Sequence, residues 1–264
     1  MPDVEIFRRL VAEPCRGRVV ARADVFDRGI LEGISPEALA QRLAGRRIMS
    51  SERYGKYLFI GFAAAGVLAM HFGTNGSLRL FPEGATAAAT RLALQLADGS
   101  HLAYVNPRRL GWVSLWESPA ALVAHLRLGP DALDARLDAA AFAAILGNSR
   151  RNIKALLMDQ QRLAGIGNIY SDEILFQARV NPGRIAADLD RETVARLFHA
   201  MRETLQTAIR CGAGAEQATE RLPPDFLLPH RHPGGRCPRC GALLASVKRA
   251  GRTAYHCPHC QPAG

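Results

Sequence analysis

Lysine is scarce in this 264-residue chain: three of its 34 basic residues are lysines (Lys56, Lys154 and Lys248), and the rest are arginines. A chain that nearly always chooses arginine keeps lysine where an amine matters, because the two cations are not interchangeable at such sites. No apolar run approaches the ~20 residues of a bilayer-spanning helix. The most apolar stretch, 59–72, is broken by Gly61 and Gly66. The N-terminus lacks the basic-then-apolar order of a signal peptide, which predicts a cytoplasmic protein with no membrane partner. Low apolar content is also missing: at 48% hydrophobic and 22% charged, the sequence excludes intrinsic disorder. Its length predicts more than one domain.

What is present in excess is positive charge, +10 overall, which points to a polyanionic partner. Half of that excess lies in residues 223–264, where six Lys/Arg face a single acid, Asp225. The same segment carries Cys237-Pro-Arg-Cys240 and, sixteen residues on, Cys257-Pro-His-Cys260. Two C-x2-C knuckles at this separation fit four thiolates around one structural Zn²⁺ better than disulfides in a chain without a secretion signal. Cys15 and Cys211 read as small core residues, and His256 and His259 as bystanders. Between the knuckles, 242–247 and 253–256 are expected as strands, with 249–252 as their turn. Its basic tip suits either phosphate contact or protein docking.

Three zones follow along the chain. An opening helix is expected over 4–16, with Val4, Phe7, Leu10 and Val11 on one face and Pro2-Asp3 as its start. Short strands are expected at 19–25, 57–62, 67–72, 77–81, 91–96, 101–105 and 113–116, interrupted by a helix at 36–43. Many short strands suggest a sandwich or barrel. From Pro119 the texture turns helical, at 119–127, 138–146, 152–162, 169–178 and 190–210, and 211–236 reads as loop. In the middle zone, Ile153-Lys154 through Gly165-Ile166-Gly167-Asn168 to Phe176 reads as helix, glycine turn, helix. This is either a plain helix hairpin or a phosphate site at a helix N-terminus, with Asn168 adding a side-chain amide.

Ile153 to Phe176 resembles the helix–two-turn–helix of the formamidopyrimidine-DNA glycosylase/endonuclease VIII family. The cysteine ribbon, with Gly251-Arg252-Thr253, resembles that family's zinc finger. Tyr54-Gly55-Lys56-Tyr57-Leu58 is similar to its lysine motif, Met70-His71-Phe72-Gly73 to its His-Leu-Gly strand end, and Asn106-Pro107-Arg108-Arg109-Leu110-Gly111 to its Asp-Pro-Arg-Arg-Phe-Gly loop. The resemblance implies an α+β fold: an antiparallel β-sandwich domain (1–118), a helical DNA-binding domain (119–222) and a zinc-finger hairpin (223–264). It implies a bifunctional DNA glycosylase/AP lyase of base excision repair, acting as a monomer on double-stranded DNA with an oxidised base or abasic site. Pro2 would be the Schiff-base nucleophile, Asp3 the proton donor, Lys56 the assistant of β-elimination and Arg252 that of δ-elimination. Arg108 and Leu110 would fill the gap left by the flipped base, and His71, Arg151, Lys154 and Asn168 would hold the DNA. The chain opens Met1-Pro2-Asp3-Val4-Glu5, three residues shorter than the family's Met-Pro-Glu-Leu-Pro-Glu-Val-Glu, so Pro2-Asp3 matches either Pro-Glu of that opening. Hence a second expectation: a glycosylase-like protein that binds damaged or abasic DNA with reduced or no catalysis. Thr74 replaces a void-filling methionine, and 211–236 lacks a longer base-capping loop, which leaves the preferred lesion open.

Overall fold

The computed structural model describes residues 1–214, 218–249 and 251–263. Residues 215–217, inside the expected loop, and Ala250, inside the expected hairpin turn, lie outside the described residues. The chain divides into two compact units, Asp3–Leu126 and Arg127–Gly264, the latter together with Met1–Pro2.

The first unit opens with α1 (Pro2–Ala12, of which it holds all but Pro2), a helix that starts earlier than expected and ends before Pro14, whose ring is incompatible with a continuing helix. Val4, Phe7 and Val11 form its buried face. Strand β1 (Val20–Val25) and helix α2 (Pro36–Leu43) follow, α2 being capped by the Ser35 hydroxyl, which accepts from the Ala38 amide at 3.2 Å. Then come β2 (Ile48–Tyr54), β3 (Tyr57–Phe62), β4 (Gly66–His71), β5 (Ser77–Phe81), β6 (Thr90–Leu96), β7 (His101–Val105), β8 (Trp112–Trp116) and α3 (Pro119–His125). They build two four-stranded antiparallel sheets, β1-β6-β7-β5 and β2-β3-β4-β8. Both sheets contribute to one core, Leu58, Ile60, Leu68 and Met70 meeting Leu78, Leu92, Leu94 and Leu102. The other face of the second sheet, Phe59, Val67 and Ala69, is closed by Leu122 of α3. This two-sided burial explains why β3 reads as a continuous apolar run and not as an alternation.

Strand β2 is absent from the sequence expectations. It is an edge strand with a register shift between Ile48 and Ser50, so its alternation is broken and most of its side chains are polar.

The second unit holds α4 (Ala139–Leu146), α5 (Ile153–Leu157), α6 (Asn168–Gln177) and α7 (Arg191–Arg210), then the hairpin β9 (Ala245–Arg249) and β10 (Arg252–His256). Its core gathers Phe142, Leu156, Leu163, Ile174, Leu197, Met201 and Leu205. Helix α5 stops at Leu157, five residues short of expectation, because polar side chains bind the backbone beyond it: Asp159 accepts from the Gln161 amide at 3.1 Å, and Gln160 donates to the Met158 carbonyl at 2.7 Å. Among the described residues no helix is long and apolar enough to cross a membrane.

One loop is tightly constrained. A methyl group on Gly111 would stand 2.2 Å from the His71 carbonyl oxygen and 2.2 Å from the Tyr104 hydroxyl. Gly111→Ala is expected to destabilise the protein by about 1–3 kcal/mol, as overpacking does, with a fall in thermal midpoint. An unchanged midpoint would mean that the loop packs less closely than described.

Candidate functional site: an anion-binding surface and a zinc ribbon

In the first unit, the hairpin turn Gly55-Lys56 joins β2 to β3, with Gly55 at φ 58°, and places half-buried Lys56 beside the strand ends. Register then aligns Tyr57, His71 and Trp112 across β3, β4 and β8. The His71 ring lies 5.2 Å from Tyr57 and 6.0 Å from Trp112, centroid to centroid. Burial, reinforced by the Lys56 charge, pushes His71 from 6.5 down to about 4. Near neutral pH the imidazole is thus an uncharged hydrogen-bonding group beside a cation.

The loop from Asn106 to Gly111 is fixed at its base and open at its tip. Asn106 is fully buried, its amide donating to the Tyr104 hydroxyl at 2.8 Å, while Arg91 Nε donates to its carbonyl at 3.1 Å. Arg109 takes a left-handed φ of 54° and pairs with Asp27 at 2.9 Å. This turns Arg108 and Leu110 outward, both exposed, and Leu110 is 53% accessible. Thr74 is exposed in the turn after β4. At the start of α1, Asp3 is half-buried, while Glu5 receives Arg8, Arg9 and Arg53 and fastens the helix to β2.

In the second unit, Gly167 caps α6 without a side chain, so no side-chain cap satisfies the first-turn amides. Asn168 is the first helical residue, and its Oδ1 is buried with no hydrogen-bond partner among the described residues. The two turns before it are knitted by Gln160, which donates to Ile166 O at 2.9 Å and accepts from Gly165 N at 2.9 Å. The uncapped amides and the helix dipole favour negative charge at this end of α6.

Lys154 corrects the sequence expectation. Its ammonium is fully buried and donates to Asn168 O at 3.1 Å, Ser171 Oγ at 3.0 Å and the Asp172 carboxylate. It is out of reach of a phosphate at the surface; it holds the first turn of α6 from beneath. A buried ammonium requires such a cage of acceptors. Arg151 is exposed but paired with Asp159 at 2.6 Å. Pro2 is buried as the first residue of α1, and Met1 joins the core of the second unit.

The four ribbon cysteines converge, all Sγ atoms lying within 4.8 Å of one another. The Cys237–Cys260 and Cys240–Cys257 sulfur separations are 3.8 and 3.5 Å. Four ligands at ~2.3 Å in a tetrahedron stand ~3.8 Å apart, so the cluster fits one structural Zn²⁺. The ribbon and the segment before it are fastened to α6 and the residues just after it by side chains the sequence reading left without roles. Asp172 accepts from Arg231 Nε at 2.8 Å and Tyr255 N at 3.1 Å. Glu173 accepts from Leu227 N at 3.1 Å and Leu228 N at 2.8 Å, while burial raises its carboxyl to about 7. Arg239 donates to Phe176 O at 2.9 Å, and Gln261 donates to Val180 O at 2.8 Å. The available signal was two adjacent acids beside the apolar run Ile174-Leu175-Phe176, a pattern that demands buried partners. Arg252 opens β10 and is exposed.

Three family profiles match in order: "Formamidopyrimidine-DNA glycosylase N-terminal domain" over 1–113, "Formamidopyrimidine-DNA glycosylase H2TH domain" over 128–220, and "Zinc finger found in FPG and IleRS" over 234–263. A formamidopyrimidine-DNA glycosylase of Moorella thermoacetica is 38% identical over 262 residues, covering 94% of each chain. That of Alkalilimnicola ehrlichii is 35% identical over 277 residues, covering 99% of each. Among solved structures, the Lactococcus lactis formamidopyrimidine-DNA glycosylase bound to DNA with an abasic site aligns over 100% of this chain and 99% of its own. Its TM-score is 0.88 at 27% identity. MutM in complex with DNA containing carbocyclic 8-oxo-G gives 0.89 at 27% identity, with the same coverage.

The His71 shift carries a pH sign. A histidine with a depressed folded value contributes stability above pH 6.5 and loses it as pH falls toward 4. An NMR titration of His71 is expected to show a midpoint near 4, moving upward in Lys56→Met; a midpoint near 6.5 in the folded protein would contradict the geometry.

Proposed function

Because the chain belongs to the formamidopyrimidine-DNA glycosylase family and is a DNA glycosylase of base excision repair, we propose that it releases oxidised bases from double-stranded DNA and cleaves the strand through a Schiff base on Pro2. The observation that carries this reading is the match of all three domain profiles in order along the chain. In support, the residues the chemistry needs on DNA, Lys56, His71, Arg108, Leu110, Asn168 and Arg252, are half-buried or exposed.

An α-amine titrates near ~8, against ~10.4 for lysine, so a terminal amine is far richer in free nucleophile at neutral pH. With Met1 removed, the Pro2 nitrogen bonds to C1′ as the C1′–base bond breaks, and the nitrogen gives its own N–H proton to water. The base leaves with that electron pair and takes a proton from water. Asp3 gives a proton to the sugar ring oxygen as the ring opens, leaving an iminium. Loss of the C2′ proton expels the 3′ phosphate, and loss of the C4′ proton expels the 5′ phosphate. Water then releases Pro2. Lys56 and His71 hold phosphate, as does the N-terminus of α6 with Asn168, and Arg252 serves the phosphate that leaves last. Arg108 and Leu110 occupy the gap of the flipped nucleotide. The zinc ion holds the ribbon and takes no part in these steps.

A second reading rests on the burial of Pro2: with the N-terminal turn closed, the protein binds an abasic or damaged site without attacking it. Either way, affinity falls steeply with salt.

Borohydride trapping on an abasic-site duplex separates the two readings. The expected adduct lies on a peptide beginning at Pro2 and persists in Lys56→Ala. An adduct on Lys56 would transfer the attack to that lysine. Absence of any adduct with salt-sensitive binding retained would establish the binding protein.

A further inference from the structure

We propose that Arg231 is a positioning residue that sets the place of Arg252 on the DNA; this rests on the reading of Arg252 as a phosphate contact. Arg231 follows the short helical turn Leu228–His230, and its side chain is only 14% exposed. Its guanidinium makes a fork: Nε donates to Asp172 at 2.8 Å, and NH2 donates to Thr253 O at 3.1 Å. It also stands 5.0 Å from the centre of the Tyr255 ring. Asp172 in turn accepts from the Tyr255 amide at 3.1 Å. One guanidinium therefore ties the residue next to Arg252 to the carboxylate that anchors α6, and α6 begins at Asn168.

The leverage follows from strand geometry. Without the fork, β10 is still held through the Tyr255 amide and, beyond it, the Cys257 knuckle. At ~3.3 Å per residue, Arg252 lies ~10 Å beyond Tyr255 but only ~3 Å beyond Thr253. Arg252 and Thr253 stay paired with β9, so removing the tie at Thr253 lengthens about threefold the stretch of hairpin that is not fastened to α6, and that stretch ends at the residue after Gly251, which has φ 69°. Lysine at 231 keeps the charge and reaches Asp172, but as a point donor it lacks the second, fixed arm of the fork. Arg231→Lys thus separates positioning from charge.

Two readouts test this on the full-length, zinc-loaded protein. The first is the slope of log affinity against log salt on an abasic-site duplex. Loss of one phosphate contact lowers its magnitude by about 0.9, and Arg231→Lys is expected to show that loss, as Arg252→Ala does. The second is single-turnover cleavage of a duplex with one oxidised purine, scoring base release and the doubly eliminated product separately. The ratio of double elimination to base release is expected to fall about tenfold in Arg231→Lys and further in Arg231→Ala. Zinc content and thermal midpoint are recorded for each variant, and if Arg231→Ala does not fold, Arg231→Lys alone decides. An unchanged slope and ratio in Arg231→Lys would overturn the proposal, as would base release and cleavage falling in parallel. A wild-type protein that does not bind the abasic duplex would instead sink the reading of Arg252 itself, and the proposal with it.

Discussion

The second unit depends on the buried carboxylate of Asp172. It receives the ammonium of Lys154 from α5, the guanidinium of Arg231 and the backbone amide of Tyr255 in the ribbon. Isolated, an ionised carboxylate at 1% exposure would be prohibitively costly. Here two cations and an amide compensate it, so removing any one partner leaves the others buried and unbalanced. The arrangement ties the first turns of α6 to the zinc hairpin through one carboxylate. Glu173 repeats the device one residue on, fixing the segment before the ribbon through two backbone amides.

The first unit solves a different problem with backbone sterics. It presents Lys56, His71 and the exposed Arg108 and Leu110 from a sheet whose faces are both covered. A two-residue turn lifts Lys56 to the sheet edge, strand register brings His71 between two aromatic rings, and glycine at 111 lets the loop close on the His71 carbonyl. The left-handed Arg109, held by Asp27, turns its neighbours Arg108 and Leu110 toward solvent. Local strain at this loop is balanced by the ladder of Asn106, Tyr104 and Arg91 beneath it.

Where a residue's chemistry is local, the sequence was legible. The strands at 77–81 and 101–105 and the helix at 36–43 coincide with β5, β7 and α2, because apolar runs bounded by turn residues decide them. The four cysteines were readable because metal geometry restricts spacing. Strand β2 was not, since an edge strand with a bulge buries too little for a pattern. Lys154 was misplaced for a related reason: the resemblance marks the position, but only three-dimensional packing reveals that its ammonium points inward. Arg231, Arg239 and Gln261 had no local signal, because their partners lie 59, 63 and 81 residues away in sequence.

The most direct test of this account is amide hydrogen exchange on Asp172→Asn, which keeps the shape and removes the charge. If Asp172 anchors the ribbon, exchange accelerates at least about tenfold over β9, β10 and the Tyr255 amide, as loss of a local anchor opens a local unit. Exchange over β6 and β7 then stays at the wild-type rate. Unaltered protection of the ribbon, or acceleration spread evenly over both units, would contradict the claim that one buried carboxylate holds the helix and the hairpin together.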